Sequence, residues 1–536
     1  PCALLVSVCF GVSMHESPAF VRKIYVPDVK NENILQNYNR EIRSTKAYIM
    51  ANISQLASSL RETFQTGRTI SLQWRIGQLN MLLKLLDENR DQLCNALKRD
   101  LNKHKFEAGV FEVDYCRNDL VHCLNNLSEW AAPEKVAKGL LNAMDRCYIR
   151  REPFGVVLII GAWNYPVHLT ILPLIGAIAA GNCVVVKPSE LSAHTAKLLE
   201  ELLPRYLDQD CVKCINGGVP ETTALLAEKW DHIFYTGNTA VGKIIMQAAA
   251  KYLTPVTLEL GWKSPVFVDK DCDLGIVANR ILWGKCTNAG QTCVAPDYIM
   301  CTKETQDVLV GKLKNSLKKF YGDNVKASND YARIVNDRHF QRLKGLLSTC
   351  KEIAFGGDFD ESQRYIAPTV VTNVKFTDQV MQEEIFGPIL PIVPVKDEDE
   401  AIKQIVKGDK PLALYIFSNN KSLVQKFITS TSSGGVCVND TIMQGSIPTL
   451  PFGGVGNSGM GGYHGKFTFD TFSHKRAMME RDLALESING VRYPPFTDSK
   501  TIFAKWIMKK KLKRTGILAL LPHLFLGILI AALFQV

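Results

Sequence analysis

Three residues in this chain carry side chains suited to acyl chemistry. Cys293 lies in Asn288-Ala-Gly-Gln-Thr-Cys-Val-Ala-Pro-Asp-Tyr298, followed by a short apolar step that Pro296 stops. A thiolate is a strong nucleophile, and the glycine and proline argue for a fixed loop rather than a helix interior. The glycine also suggests that the backbone approaches a substrate closely. Thirty-four positions upstream, Leu258-Glu259-Leu260-Gly261 sets one acid in an apolar run. A carboxylate there is a desolvated general base with a raised pKa or a charge on a wet strand edge. Asn164, in Trp163-Asn164-Tyr165-Pro166, follows a strand-like run. Its amide is either an oxyanion donor or a turn residue before a proline. A buried structural cysteine is the plain alternative for Cys293, since the chain has 15 cysteines.

The surrounding pattern predicts what holds these residues. From Ser58 to about Asp100 the spacing is helical, with Leu79, Leu82, Leu83 and Leu86 three and four apart and Ser71 or Thr69 as cap. A further amphipathic helix runs from about 110 to 130. Then the pattern changes. Gly155-Val-Val-Leu-Ile-Ile-Gly161 and Val184-Val-Val-Lys187 are short apolar strands around a helical stretch, 169–180. A helix over 193–203 and a strand over 212–215 follow. This alternation is the signature of a doubly wound parallel sheet, which takes ligands at the carboxyl ends of its strands. Gly237 to Lys243 matches the start of a P-loop, but Ile244 stands where a magnesium-binding hydroxyl is needed. What remains is a glycine loop and a helix N-terminus suited to a dinucleotide. After Cys293 come helices near 304–320 and 337–350.

Composition excludes several classes. Hydrophobic residues are 46% and charged residues 22%, as in ordinary globular proteins. The cysteines are odd in number and scattered, which argues against a disulfide framework and for a reducing compartment. Cys211-x-x-Cys214 has no second pair and no Cys/His cluster beside it, so no metal site is expected. Of the net charge of +10, Lys505, Lys509, Lys510, Lys511, Lys513 and Arg514 supply six, leaving +4 elsewhere. The excess is local and does not read as a nucleic-acid face. Gly516–Val536 is a 21-residue run without Asp, Glu, Lys or Arg, long enough to span a bilayer. It is expected to be a single C-terminal tail anchor, with the basic cluster cytosolic. Ala3–Val12 is apolar but too short to span and lacks a basic lead.

Gly-Gln-Thr-Cys and Leu-Glu-Leu-Gly together resemble the nucleophile and general-base signatures of the aldehyde dehydrogenases. The likeness runs over roughly 57–495. It is nearest the class 3 branch, and within it the membrane-bound members that act on fatty aldehydes. The resemblance implies an α/β aldehyde dehydrogenase fold with a Rossmann-like NAD domain, an αβ catalytic domain and a C-terminal membrane helix. The expected division is an extension over 1–56, an NAD-binding domain with N-terminal helices over 57–262 and a catalytic domain over 263–445. A return and oligomerisation segment over 446–495, a basic linker over 496–515 and the anchor over 516–536 complete it.

The same resemblance implies oxidation of medium- to long-chain aldehydes to acids through a thiohemiacetal and thioester on Cys293. Asn164 then binds the oxyanion and Glu259 activates the deacylating water. Lys187 and Glu190 match the family's adenosine-ribose contacts. Gly237, Asn238, Thr239, Ala240, Val241 and Gly242 match its dinucleotide loop and helix start. Glu384 and Phe386 match residues at the nicotinamide ribose and ring. An acid such as Glu190 favours NAD, although the branch also includes users of NADP. A homodimer at the endoplasmic reticulum membrane, with its catalytic domain in the cytosol, is implied as well. Two positions depart from the pattern. Trp262 replaces the second glycine of Leu-Glu-Leu-Gly-Gly-Lys, and Gln444 replaces a histidine near the substrate entrance. Trp262 also keeps open a non-catalytic protein that retains the fold.

Overall fold

The computed structural model describes residues 32–139, 142–484 and 486–509. Its contacts fall into two units: the chain up to Asn125 with Phe154–Phe472, and Asn126–Pro153 with the chain from Ser473.

The larger unit opens on helices α1 (Glu32–Gln65), α2 (Leu72–Glu88) and α3 (Arg90–Leu101). Helix α1 starts well before Ser58, because Ile53, Ala57 and Leu60 carry one buried stripe across that point. Ser71, in extended conformation, caps α2 by accepting a hydrogen bond from the Trp74 N–H. Leu79, Leu82, Leu85 and Leu86 are buried, while Leu83 is only half-buried. Helix α4 (Lys105–Ala108) passes through a π-helical turn, Gly109–Val113, into α5 (Asp114–Ala131).

Strands β1 (Glu134–Lys135) and β2 (Arg146–Pro153) belong to the smaller unit. The next elements build the first large sheet: β3 (Val156–Ile160), α6 (His168–Ala180), β4 (Cys183–Lys187), α7 (Ala193–Tyr206), β5 (Val212–Cys214), α8 (Val219–Ala227), β6 (His232–Thr236), α9 (Thr239–Ala250) and β7 (Val256–Glu259). The five strands are parallel in the order β5-β4-β3-β6-β7. Strands β3, β4 and β6 are buried throughout, which is why their sequences run apolar without alternation. Gly181, at φ 94°, ends α6 in a left-handed conformation that glycine adopts without strain. The strand order reverses between β3 and β6, the place where doubly wound sheets bind ligands.

The second large sheet follows: β8 (Pro265–Val268), α10 (Leu274–Cys286), β9 (Tyr298–Cys301), α11 (Lys303–Tyr321), α12 (Asp337–Ser348), β10 (Ile353–Phe355), the small pair β11 (Phe359–Asp360) and β12 (Tyr365–Ile366), β13 (Thr369–Val371), β14 (Ile389–Pro394), α13 (Glu398–Lys407), β15 (Ala413–Phe417), α14 (Lys421–Ser430) and β16 (Gly435–Val438). Its order is β10-β13-β14-β9-β8-β15-β16, parallel except for β10. The coil between β7 and β8 carries residues 260–264, including Trp262. The chain then returns to the first sheet, where β17 (Gly459–Met460) pairs antiparallel with β7 at Glu259 and Leu258. Helix α15 (Lys466–Thr471) closes the unit.

In the smaller unit, β18 (Ser473–Glu480) pairs antiparallel with β2 from Ser473↔Pro153 to Glu480↔Arg146, and β1 lies on the other edge. Asp145 and Arg481 form a two-pronged ion pair at 2.7 Å. Helices α16 (Glu486–Asn489) and α17 (Asp498–Met508) follow. Among the described residues, no helix is long and apolar enough to cross a membrane. The run Gly516–Val536, on which the anchor was expected, lies outside the described residues.

Candidate active site

The nucleophile loop connects α10 to β9 and is held on every side. Asn288, Ala289 and Gly290 take positive φ values of 53°, 51° and 75°, three left-handed residues in succession. An added Cβ at Gly290 would meet the Gly387 carbonyl oxygen at 2.3 Å. The close approach expected of this glycine is thus to a neighbouring backbone, not to a substrate. Gln291 is fully buried; its amide donates to the carbonyls of Asn288 and Arg333, both at 3.0 Å, and accepts from Val335 N–H at 3.0 Å. Thr292 Oγ1 and Tyr165 Oη lie 2.8 Å apart, and Tyr415 Oη donates to the Val294 carbonyl at 2.5 Å. Asp297 accepts from Lys263 Nζ at 2.5 Å and from Ile385 N–H at 3.1 Å. Cys293 itself is half-buried. Burial, with the nearby Glu384 and Glu259 carboxyls, pushes its thiol well above the ordinary range.

Asn164 follows β3 at its carboxyl end and is buried. Its Nδ2 donates one hydrogen to the Gln291 carbonyl at 3.1 Å, two residues before the cysteine. The second hydrogen of that amide is available for a ligand oxygen. Glu259 is the last residue of β7 and is only 3% exposed. Neither carboxyl oxygen has a hydrogen-bond partner among the described residues, and burial raises its pKa well above the carboxylate range. The strand-edge alternative fails here, since Glu259 is buried between β6 and β17. The Glu259 and Glu384 carboxyls both lie within electrostatic reach of Cys293.

The dinucleotide candidates sit at the carboxyl ends of β4 and β6. Lys187 ends β4, is 2% exposed, and donates to Glu190 at 3.1 Å and to the Pro188 carbonyl at 3.2 Å. Gly237 follows β6; a Cβ there would collide with the Tyr235 hydroxyl. Asn238 caps α9 by accepting from Val241 N–H at 2.9 Å, which leaves the N–H groups of Thr239 and Ala240 without intrahelical partners. Gly242 faces the Leu260 side chain so closely that a Cβ would meet it at 2.8 Å. An uncovered helix start beside a buried lysine and an acid fits a pyrophosphate and its ribose. Glu384, where burial raises the pKa to about 8, faces Gly261 so closely that a Cβ there would meet its carboxylate. Phe386, at φ 48°, stacks edge-on to Trp163 with centroids 5.3 Å apart.

Trp262 is half-buried, and its φ is not in the left-handed region. The indole therefore imposes no backbone strain at the position where the family pattern has glycine. It lies between Gly261, backed by Glu384, and Lys263, which also holds the carbonyls of Val380 and Glu383. The resemblance sets position 262 beside the cofactor path, where an indole would occupy on the order of 200 Å², so Trp262→Gly is expected to lower KM for NAD or raise turnover at least several-fold. Steady-state kinetics decide it: a variant indistinguishable from the parent means that the ring points away from that path. Gln444 donates to Tyr415 Oη at 3.4 Å, the same hydroxyl that holds Val294. The departure at 444 is thus tied to the residue after the cysteine.

Lys103, Tyr165 and Tyr415, in contact with this loop or with Asn164, and Glu112, bonded to Lys103, gave no signal in the sequence. A lysine and a glutamate near a helix start read as surface charge, and the two tyrosines read as core. Among the described residues, no group of His, Cys, Asp or Glu could hold a metal.

This arrangement, a doubly wound sheet with a glycine loop and an open helix start at its strand ends and a cysteine loop on the second sheet, fits the class of NAD(P)-dependent dehydrogenases. The sequence model of the "Aldehyde dehydrogenase family" matches residues 32–478, taking in 32–56 as well. The chain is 56% identical over 455 residues to rat (Rattus norvegicus) aldehyde dehydrogenase family 3 member A2, covering 85% of this chain and 94% of that one. It is 55% identical to the mouse (Mus musculus) "aldehyde dehydrogenase, dimeric NADP-preferring", over 83% of this chain and 98% of that one. The substrate-bound Staphylococcus aureus AldH superimposes with a TM-score of 0.84 at 43% identity, over 85% of this chain and 99% of that one. The chain belongs to the aldehyde dehydrogenase family.

Proposed function

We propose that this enzyme oxidises medium- to long-chain aliphatic aldehydes to carboxylic acids with NAD or NADP. Cys293 is the nucleophile, Asn164 and the Cys293 backbone N–H bind the oxyanion, and Glu259 activates water. The Cys293 thiol loses its proton to solvent water, and the thiolate attacks the aldehyde carbon, whose oxygen takes up the negative charge. Lys187, Glu190, residues 237–242, Glu384 and Phe386 would hold NAD(P), which would supply the acceptor for the hydride that leaves this carbon. A water deprotonated by Glu259 then attacks the thioester carbonyl, releasing the acid and restoring the thiolate. The observation that carries this reading is the shared loop: Asn164 is bonded to Gln291, and Cys293 lies within the field of Glu259.

The aliphatic substrate is supported by an aromatic file near Tyr165. Phe106, Phe111 and Trp283 meet edge-on with centroids 6.1 Å apart, and Phe111 packs against Ala162, Tyr165 and Leu169. Such a wall favours alkyl chains over charged substrates. NADH formation should give a kcat/KM that rises from short aldehydes to hexadecanal. Activity confined to short or polar aldehydes would overturn the assignment.

We also propose a homodimer, held to the endoplasmic reticulum membrane by Gly516–Val536, with the domains divided near residue 262. The printed description of the mouse relative as dimeric supports the first part. The uncharged terminal run behind a basic cluster supports the second. Full-length protein should stay with membranes through a carbonate wash, and truncation before Gly516 should release an active, soluble enzyme. Recovery of the full chain in the wash would count against the anchor.

A further inference from the structure

The Lys103–Glu112 ion pair is completely hidden from solvent, and the chemistry above makes no use of it. A buried pair of charges persists only when its remaining hydrogen bonds are met. Here almost all of them go to one segment. Lys103 Nζ donates to Glu112 Oε1 at 2.6 Å and to the Asn164 carbonyl at 2.9 Å, and lies 3.9 Å from the centre of the Tyr165 ring. Glu112 Oε2 accepts from the N–H groups of Val167 at 3.0 Å and His168 at 3.4 Å. The Asn164 carbonyl also accepts from Asn288 Nδ2 at 2.8 Å. Glu107, a second buried acid, lies within electrostatic reach of both Lys103 and Glu112.

The π turn makes this cluster possible. Residues five apart on a regular α-helix point about 140° away from each other. The wider turn at Gly109–Val113 adds a residue and brings Glu107 and Glu112 toward one side. One helix start thereby holds both the strand end that carries Asn164 and the turn that leads to Cys293.

We propose that Lys103, braced by Glu112, is a positioning residue: it fixes the Asn164 peptide so that the Asn164 amide meets the oxyanion formed on Cys293. This inference rests on the reading of Asn164 as an oxyanion donor. A double-mutant cycle separates the two. Asn164→Ala should lower kcat/KM for an aldehyde by about 10²–10³. Lys103→Met should lower it by about 10- to 100-fold through misplacement. In the Asn164→Ala background, Lys103→Met should cost about twofold or less, because the group it positions is gone. NAD affinity, read by fluorescence titration, should stay within about twofold throughout. Full additivity, or no loss from Lys103→Met alone, would overturn the positioning role while leaving Asn164 in place. A silent Asn164→Ala would remove the donor reading, and the proposal with it. Should Lys103→Met fail to fold, Glu112→Gln enters the same cycle. It keeps an acceptor for Val167 but loses the charge facing Lys103, and the same outcomes decide.

Discussion

Cys293→Ser is expected to abolish NADH formation while leaving NAD affinity close to that of the parent. A serine hydroxyl is a far weaker nucleophile than a thiolate, and losing a nucleophile costs on the order of 10⁴-fold or more in turnover. The fold should survive, because the loop is held by Gln291, Thr292, Val294 and Asp297 rather than by the sulfur. The measurements are an NADH-absorbance assay and a binding titration on the same preparation. Retained dehydrogenase activity would remove Cys293 from the chemistry. Thiol labelling alone does not settle the point. Cys147, Cys214, Cys272, Cys350 and Cys437 are also half-buried, so a single labelled site is not to be expected without substrate protection.

Glu259→Gln should separate the two halves of the reaction. Acylation should proceed, giving a burst of about one NADH per site, and steady turnover should then fall by roughly 10²–10⁴-fold for want of a base. The pH behaviour carries a second, independent signature. Burial holds the Glu259 carboxyl protonated well above its ordinary value of 4.5. In the unfolded chain it ionises near that ordinary value. Between the two values unfolding releases a proton, so this group's contribution to stability is complete at low pH and is lost as pH rises. The parent's melting temperature should therefore decline more steeply than the variant's above about pH 5. Parallel melting curves would mean that the carboxyl is already ionised in the folded protein. The parent's turnover should rise with pH as Glu259 ionises, and the variant should lack that limb.

Much of the first sheet was legible because its strands are buried on both faces. Val156–Ile160 and Cys183–Lys187 read as unbroken apolar runs, and Gly181 marked the end of α6 within a residue. The start of α1 was not legible, since Ile42, Ile49 and Ile53 continue the helical spacing upstream of Ser58 and periodicity alone marks no boundary there. The π turn left no mark, because an extra residue in a helical turn alters register without altering composition. Around Cys293, the glycine and proline announced a fixed loop. They did not announce that Asn288 and Ala289 share the left-handed conformation, which neither residue type demands. Lys103 and Glu112 were opaque for a different reason. A charged pair is buried only when backbone groups distant in sequence turn toward it, and Asn164, Val167 and His168 are known as its partners only once the chain is folded. At Trp262, sequence offered two costs for replacing a glycine, and the backbone removes one of them.

The wide turn at Gly109–Val113 also changes how this region tolerates insertions and deletions. Winding the same residues as an ordinary helix, with none removed, would leave every backbone bond in the helix satisfied. It would also rotate all that follows by about 100° relative to all that precedes. Tyr115, now bonded to the Gly445 carbonyl, and Asp119, which accepts from Gly465 N–H at 3.1 Å, would both swing off their targets. Removing one residue together with the wide turn, by contrast, keeps the phase, because the wide turn is what absorbs that residue. A one-residue deletion at this turn should therefore be accepted more easily than the same deletion in the regular helices of the fold.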